Sequence, residues 1–401
     1  GVQPGTGNIN ADPVFETGPL GIYYLNQLPV SGSPCLDAGN GPAADVCFTT
    51  EGGQICLDQR VTDPAGSADS GTVDMGYHYP SLEPQILPVP AQYGTIQAAI
   101  DAAEDHDIVL VAPGNYSGTG NWDLDFQGKD IIVRAVDGPV TTRLMLGNAH
   151  RGFNFHSGEP VTAYVDGFSF ISGHAAGNGG AIICTGSSPS IVNCTFESCS
   201  ASAGGAVHVT GGSPVFSNCR FNGNTASDGG AMLLYDTEVV LTNCAFWENQ
   251  ATYYGGGVYV DRSSGLVDFR NCTFYVNSAD DGGGVMSYAS ELAMHNSIIW
   301  QNDPNSITSQ DPVVPADIDY CDVEGGWTPG NNMNMVPAFW DGPDGGVLYL
   351  DPGIEDVSPC IDAGSMDASM VYFSDSTGVI SLAQMVTSPL GDLDSGTVDM
   401  G

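Results

Sequence analysis

The sequence has very few cationic side chains. Eight Lys and Arg residues stand against 47 Asp and Glu residues, which gives a formal net charge of -39. Such a chain repels the phosphates of nucleic acids and the headgroups of anionic lipids, so we expect neither as a partner. The sequence also lacks an apolar run of 18 residues or more, so no membrane span is predicted and no signal peptide is expected within the printed residues.

Long helical patterns are nearly absent as well. The chain has 54 Gly and 25 Pro residues, and short β-branched runs alternate with Ser, Thr and Asn. This composition favours short strands joined by tight turns. With 42% hydrophobic residues in a chain of 401, there is enough apolar material for folded domains rather than disorder.

A repeat of about 25 residues fills the middle of the sequence. An Asn-Cys-x-Phe motif begins at Asn193, Asn218, Asn243 and Asn271, and a degenerate copy begins at Asn296, so the spacings are 25, 25, 28 and 25. A Gly-Gly-(Ala/Gly) motif recurs in step from Gly179 to Gly284. Each unit has room for about three strands and cannot bury its inner face alone, so we expect the units to stack as the coils of a parallel β-solenoid.

The repeated Asn and Cys residues should form rows along such a solenoid. Asn tolerates the left-handed backbone of a sharp corner, and stacked amides can hydrogen bond to one another, so we interpret the asparagines as structural. The cysteines are interpreted as small inward-facing side chains, with a metal or redox site as the alternative, and Cys321 extends their row. The predicted rows are Asn193, Asn218, Asn243, Asn271 and Asn296, and Cys194, Cys219, Cys244 and Cys272.

The segment before the repeats predicts one short helix. Apolar residues at 96, 99, 100 and 103 form a single helical face, and a buried strand follows from Asp107 to Ala112. We expect this helix to cover the open first coil and so to block edge-to-edge association.

A second, longer repeat relates the two ends of the sequence. Residues 33–39 (Ser-Pro-Cys-Leu-Asp-Ala-Gly) match residues 358–364, and residues 69–76 recur identically as 394–401, both at an offset of 325. Residues 1–80 are therefore predicted to be the closing module of a preceding β-helix, residues 81–92 a stiff Pro-rich linker, residues 93–325 the capping helix and β-helix, and residues 326–401 a second closing module.

The duplication also predicts a disulfide bond. At the offset of 325, Cys47 corresponds to Tyr372 and Cys56 to Ser381, so both cysteines are present in one copy and absent from the other. This joint replacement is what a bond between Cys47 and Cys56 predicts, and a disulfide bond indicates an oxidising, extracellular compartment.

At this point the sequence resembles known proteins. The segments Thr95–Ile100 and Val111–Tyr116 look like the start of pectate-lyase-like right-handed β-helix proteins. The Gly-Gly-Ala-Ile and Phe-x-x-Asn elements resemble the repeats of chlamydial polymorphic outer membrane proteins, and the segments 320–326 and 358–364 are similar to secreted β-helix proteins of aquatic bacteria. The resemblance implies an all-β, right-handed parallel β-helix, but it does not imply one function, because this fold serves enzymes, adhesins and passive fibres.

The sequence gives little support for an enzyme, and we expect no catalytic residues. Polysaccharide lyases of this fold resemble one another in using a cationic base, whereas Arg220, Arg262 and Arg270 occupy single coils and are interpreted as solvated. A glycoside hydrolase needs two carboxylates about 5 to 10 Å apart. Asp228, Asp280 and Asp281 could supply them, but acidic residues before Gly-Gly are ordinary corner residues.

Calcium is the only cofactor that the pattern suggests, and none is required. The alternating acids around the repeated Asp-Ser-Gly motif are similar to Ca²⁺ loops, although an ordinary turn explains them too. The candidate ligands are Asp69, Asp74, Asp392, Asp394 and Asp399.

We therefore expect an extracellular or cell-surface structural repeat of a fibre, stalk, matrix or adhesin, in which identical repeats or subunits assemble end to end. The alternative is a surface protein that binds or cleaves carbohydrate, with glycans as partners. For that alternative, the candidate contact platform consists of Trp247, Tyr253, Tyr254 and Tyr259.

Overall fold

The computed structural model describes residues 84–310, 316–340 and 360, together with short strands elsewhere in the chain. The chain divides into two compact units, Gly1–Pro84 and Gln85–Gly401. In the first unit, the described strands form three antiparallel pairs: Phe15–Gly18 with Gly21–Leu25, Cys47–Thr50 with Gly53–Cys56, and Arg60–Val61 with Tyr79–Pro80.

The second unit contains a parallel β-solenoid with three long sheets, which we call A, B and C. Because each complete coil contributes one strand to each sheet, strands about 25 residues apart lie side by side, and the first coils lack a strand in sheet C. Sheet A consists of Ile86–Val89, Ile108–Val111, Ile132–Ala135, Tyr164–Asp166, Ser190–Val192, Val215–Ser217, Val239–Thr242, Val267–Arg270, Leu292–His295 and Asp317–Asp319.

Sheet B consists of Gly114–Tyr116, Thr142–Met145, Ser169–Ile171, Thr195–Glu197, Arg220–Asn222, Ala245–Trp247, Thr273–Tyr275, Ile298–Trp300 and Asp322–Val323. Sheet C consists of Phe153–Phe155, Ile182–Thr185, Val207–Thr210, Met232–Tyr235, Val258–Asp261, Val285–Tyr288 and Ile307–Gln310. A short fourth ladder pairs Thr225–Asp228 with Gln250–Tyr254. Two antiparallel pairs follow the coils: Phe339–Trp340 with Tyr349–Leu350, and Tyr372–Asp375 with Gly378–Ser381.

The core consists of side chains that repeat in register from coil to coil. On the inner face of sheet B, Phe170, Phe196, Phe221, Phe246 and Phe274 stack with ring centroids 4.6 to 4.8 Å apart and nearly parallel planes. This spacing equals the separation of neighbouring strands, so the ring stack follows directly from the strand pairing. The predicted solenoid of coils of about 25 residues is confirmed.

The predicted helix is present as Ile96–Ala102. Thr95 is its N-cap and accepts a hydrogen bond from the backbone N–H of Ala98. Ile96, Ala99 and Ile100 are buried against the first strands of sheet A, as the apolar spacing predicts. No helix among the described residues is long and apolar enough to cross a membrane.

The prediction of a linker at 81–92 was wrong for part of its length. Ile86–Val89 is the first strand of sheet A and pairs with Ile108–Val111. The carbonyls of Gln85 and Val89 accept hydrogen bonds from the next coil, from the backbone N–H groups of Ile108 and Ala112. Pro88 is accommodated because an edge strand needs no N–H on its outer side.

Two kinds of glycine make the corner before five strands of sheet C, from Ile182–Thr185 to Val285–Tyr288. Gly229 has φ +65°, which favours glycine, and a Cβ on Gly230 would lie 2.2 Å from the carbonyl oxygen of Gly256 in the next coil. The Gly-Gly repeat therefore follows from backbone packing between coils and does not mark a ligand site.

Candidate functional site

The predicted Asn row lies at the corner between sheets A and B. All five residues of the row have φ between +52° and +54°. The side-chain amide of Asn218 donates to Asn193 Oδ1 at 2.8 Å, and that of Asn243 donates to Asn218 Oδ1 at 3.1 Å. The row continues to Asp166, whose Oδ1 accepts from Asn193 at 2.8 Å. Its residues are Asn193, Asn218, Asn243, Asn271 and Asn296.

The predicted Cys row points into the core at the same corner. Its four side chains are at most 2% exposed, and Cys321 continues the row at 0%. Burial raises the pKa of Cys194 to about 12 and that of Cys244 and Cys272 well above the ordinary value. Since a thiol must ionise to bind metal or attack a disulfide, this geometry favours packing over chemistry.

A second, fully buried Asn row was not predicted. Asn224, Asn249 and Asn277 are 0% exposed and Asn302 is 6% exposed. Each of the first three side-chain amides donates to the Oδ1 of the next residue in the row at 2.9 Å. The same Oδ1 atoms accept the backbone N–H of the preceding row member at 3.0 to 3.1 Å. The Phe-x-x-Asn recurrence was the sequence signal for this row.

The outer face of sheet C and the ends of the two strands of the neighbouring fourth ladder carry a group of aromatic and charged side chains. We call it the tyrosine–carboxylate face. It consists of Asp228, Tyr235, Tyr254, Tyr259, Asp261, Arg262 and Tyr288. These residues come together because alternate residues of a strand face outward and the strand register places Tyr235, Asp261 and Tyr288 side by side.

Tyr259 lies between two carboxyl groups. Burial raises its pKa, and the nearby negative charges of Asp261 and Asp228 raise it further. The pKa of Asp228 is raised by burial and by Asp261, whereas that of Asp261 is raised by burial although Arg262 and a hydrogen bond from Tyr259 oppose the shift. The Oδ1 atoms of both carboxyl groups are buried and accept no hydrogen bond.

Aromatic surface and one cation surround this carboxyl pair. The rings of Tyr254 and Tyr259 lie 5.5 Å apart at an angle of 37°, and Tyr254 is 41% exposed. Arg262 Nη1 lies 3.4 Å from Asp261 Oδ2, and its guanidinium carbon lies 5.5 Å from the ring centroid of Tyr288. Arg262 was predicted only to face solvent, and the structure adds its contacts with Asp261 and Tyr288.

Asp281 and Asp228 do not form a second pair of free carboxylates. Asp281 Oδ1 accepts from the Thr308 hydroxyl at 2.8 Å, and its Oδ2 accepts from the Gln310 amide at 2.7 Å. Asp281 is thus engaged by the next coil, as expected of a corner residue.

The structure divides the predicted aromatic platform. Tyr254 and Tyr259 are together, and Tyr253 is exposed beside them on the strand Gln250–Tyr254. Trp247 lies on a different sheet, where the register places it beside Asn222 and Tyr275 on the outer face of sheet B. Residues that are close in one coil point to different sides of the solenoid, which explains the misgrouping.

The remaining predicted sites lie partly or wholly outside the described residues. The strand register places Cys47 opposite Cys56, and the disulfide bond between them remains a prediction. The calcium candidates Asp69, Asp74, Asp392, Asp394 and Asp399 all lie outside the described residues. Within the part of the chain that the structure describes, no group of three or more His, Cys, Asp or Glu residues could hold a metal ion.

Comparisons with known proteins agree on the fold. A family model described as a right-handed β-helix region matches residues 161–312. No curated protein sequence matches the chain. Together with the parallel sheets, the family match identifies residues 161–312 as a right-handed parallel β-helix.

Several solved structures are similar at low identity. A pectin methylesterase from Aspergillus niger is 13% identical, with coverage of 62% of this chain and 85% of that one and a TM-score of 0.33. The pectate lyase Pel9A is 16% identical, with coverage of 70% and 88% and a TM-score of 0.37. A mutant of the alginate lyase AlyGC is 11% identical, with coverage of 66% and 55% and a TM-score of 0.25. None of these values supports the transfer of an activity.

Proposed function

We propose that this chain is an extracellular β-helix protein that binds neutral carbohydrate on its tyrosine–carboxylate face. The observation that carries the proposal is the juxtaposition of exposed tyrosine rings with Asp261 and Arg262. Sugars present apolar C–H surface and hydroxyl groups together, and tyrosine offers a flat apolar ring with a polar end. A few placed polar groups then fix the orientation of the ligand.

The charge of the protein favours a neutral ligand over an anionic one. The net charge of -39 opposes the approach of polyuronates, and Arg262 is already paired with Asp261. The remaining carboxyl oxygen of Asp261, Oδ2, can accept a hydrogen bond from a sugar hydroxyl beside Arg262.

Binding is tested with neutral oligosaccharides on a glycan array and then by calorimetry. Tyr259→Ala and Asp261→Asn should each weaken binding at least about tenfold, which corresponds to about 1.4 kcal/mol. Trp247→Ala serves as the matched control, because this residue lies on sheet B and should leave affinity unchanged. Equal loss in all three variants, or no neutral ligand bound at millimolar concentration, would refute the proposal.

The same preparations test cleavage. We expect no new reducing ends when the bound oligosaccharide is incubated with the protein, because a binding role needs no turnover. Release of reducing ends that Asp228→Asn abolishes would replace the binding role by glycoside hydrolysis.

A second function is favoured by the duplicated hairpins. In the strand register, Cys47 lies opposite Cys56 and Tyr372 lies opposite Ser381. The two hairpins, 325 positions apart, therefore have the same strand bounds and the same register. This repetition supports a structural repeat in a tandem extracellular array. Electron microscopy of the native material should show an axial period of one repeat, and isolated particles without a lattice would count against the array.

A further inference from the structure

The last coils carry a separate apolar cluster on the outer face of sheet B. Ile298 and Trp300 face outward, yet they are only 0% and 7% exposed. They are covered by residues that follow the last strand of sheet B, and the rings of Tyr275 and Phe339 meet edge to face at 5.1 Å. We call this the C-terminal outer cluster, and it consists of Tyr275, Ile298, Trp300, Tyr320, Met333, Phe339 and Cys360.

Asp322 makes the polar contacts of this cluster. Its side chain is fully buried, its Oδ1 accepts the backbone N–H of Met335 at 2.9 Å, and its Oδ2 accepts the Cys360 thiol at 3.3 Å. Both donors belong to the segment after the coils. Asp322 therefore holds that segment against the last coil, and among the described residues Cys360 is its most distant contact along the sequence.

The Cys360 contact lies in a motif that the chain contains twice. Residues 33–39 repeat residues 358–364 with one conservative change, Leu36 for Ile361, so Cys35 corresponds to Cys360. The hairpin that follows each motif has the same register in both copies. A segment with this sequence carries a thiol donor equivalent to the one that Asp322 accepts in the C-terminal outer cluster.

We propose that residues 33–39 bind the C-terminal outer cluster of a second copy of this β-helix, with Cys35 in the position that Cys360 occupies here. This inference rests on the proposed tandem array and names its joint. The contact joins two different surfaces, so it is heterologous and extends head to tail. Between separate chains it replaces the chain's own segment, which is the exchange of a domain swap.

The test uses the full chain and the variant Cys360→Asp. A second carboxylate against Asp322 in a buried site should displace residue 360 from the C-terminal outer cluster and expose Ile298 and Trp300. Residues 33–39 of another copy then bind, and light scattering after size exclusion should show oligomers whose mass rises with protein concentration. The double variant Cys35→Asp/Cys360→Asp should return to the mass of the wild type at every concentration, and Cys35→Asp alone should match the wild type.

The outcomes separate clearly. A Cys360→Asp chain that keeps its β circular dichroism and stays at the wild-type mass would overturn the inference, as would equal oligomerisation of the double variant, which indicates nonspecific association of the uncovered cluster. If Cys360→Asp unfolds, Cys360→Ala removes the thiol donor without adding charge and should shift the mass in the same direction at higher concentration. If microscopy shows a native array but the Cys360→Asp chain is monomeric, the proposed binding of residues 33–39 is refuted and the proposed array is not.

Discussion

Removal of one amide from the buried Asn row should cost far more stability than removal of one from the outer row. Asn249 is 0% exposed, its amide donates to Phe221 O and Asn277 Oδ1, and its Oδ1 accepts both the backbone N–H and the side-chain amide of Asn224. Asn249→Ala therefore leaves at least two N–H donors of Asn224 without their partner in a dry site. At about 1 to 3 kcal/mol for each orphaned group, we expect a loss of about 2 to 6 kcal/mol.

The control is Asn218→Gly in the outer row. It removes an amide that donates one similar bond, but glycine keeps the left-handed backbone (φ +52°) and water can reach the part-buried partner. We expect a loss below about 1 kcal/mol. Urea denaturation followed by circular dichroism measures both variants against the wild type. Equal losses, or a loss below about 1 kcal/mol for Asn249→Ala, would refute the argument that the buried row holds the coils in register.

Three further perturbations follow from single contacts. Val276 is β-branched, 40% exposed and held at φ +54°, so Val276→Asn should raise the free energy of unfolding by about 1 kcal/mol, measured by urea denaturation, and a loss would show that the side chain packs usefully. Arg151 donates from Nε to Gly179 O and from Nη2 to Asn178 O, both at 2.7 Å. Arg151→Met removes these two charge-assisted hydrogen bonds, each of about 1.5 to 3 kcal/mol, so it should lower the melting temperature. Arg151→Lys should recover only part of the loss. His208 has its pKa lowered to about 4 by burial and by Arg151, so the unfolded chain binds more protons between pH 6.5 and 4 and stability falls as the pH decreases through that window. From pH 7 to pH 5 the His208 contribution should be about 2 kcal/mol, and a His208→Gln chain with an unchanged pH profile would contradict it.

The solenoid could be predicted from the sequence because its signals are local and repeated. The Asn-Cys-x-Phe spacing gives the coil length, and the corner asparagines occupy the left-handed backbone that their residue type favours. The predicted helix also follows from one apolar face. These features depend on a few residues each, and their repetition from coil to coil makes them recognisable.

The candidate site could be predicted only in part, because its residues meet through register between coils. Tyr235, Asp261 and Tyr288 lie at the same position after three Gly-Gly pairs, but their residue types differ, so no motif links them. Trp247 was misgrouped for the converse reason: it is near Tyr254 in sequence but faces away from sheet C. Likewise, Pro88 was interpreted as part of a spacer, because its position in the edge strand of sheet A depends on pairing with a strand 22 residues later and is not visible in the local sequence.

The step between the Gly-Gly corners also sets how this protein can change in length. Each regular coil presents inner side chains like those of its neighbour. Deletion of residues 205–229 joins Gly204 to Gly230, so Gly230 takes the place of Gly205 and the next coil stacks in the same register. Gain or loss of 25 residues at this point keeps every sheet paired, whereas a one-residue slip within a strand would place its outward side chains in the core. Genetic duplication and deletion can therefore lengthen or shorten the β-helix only by whole coils, so its length is set by the number of coils that the gene encodes.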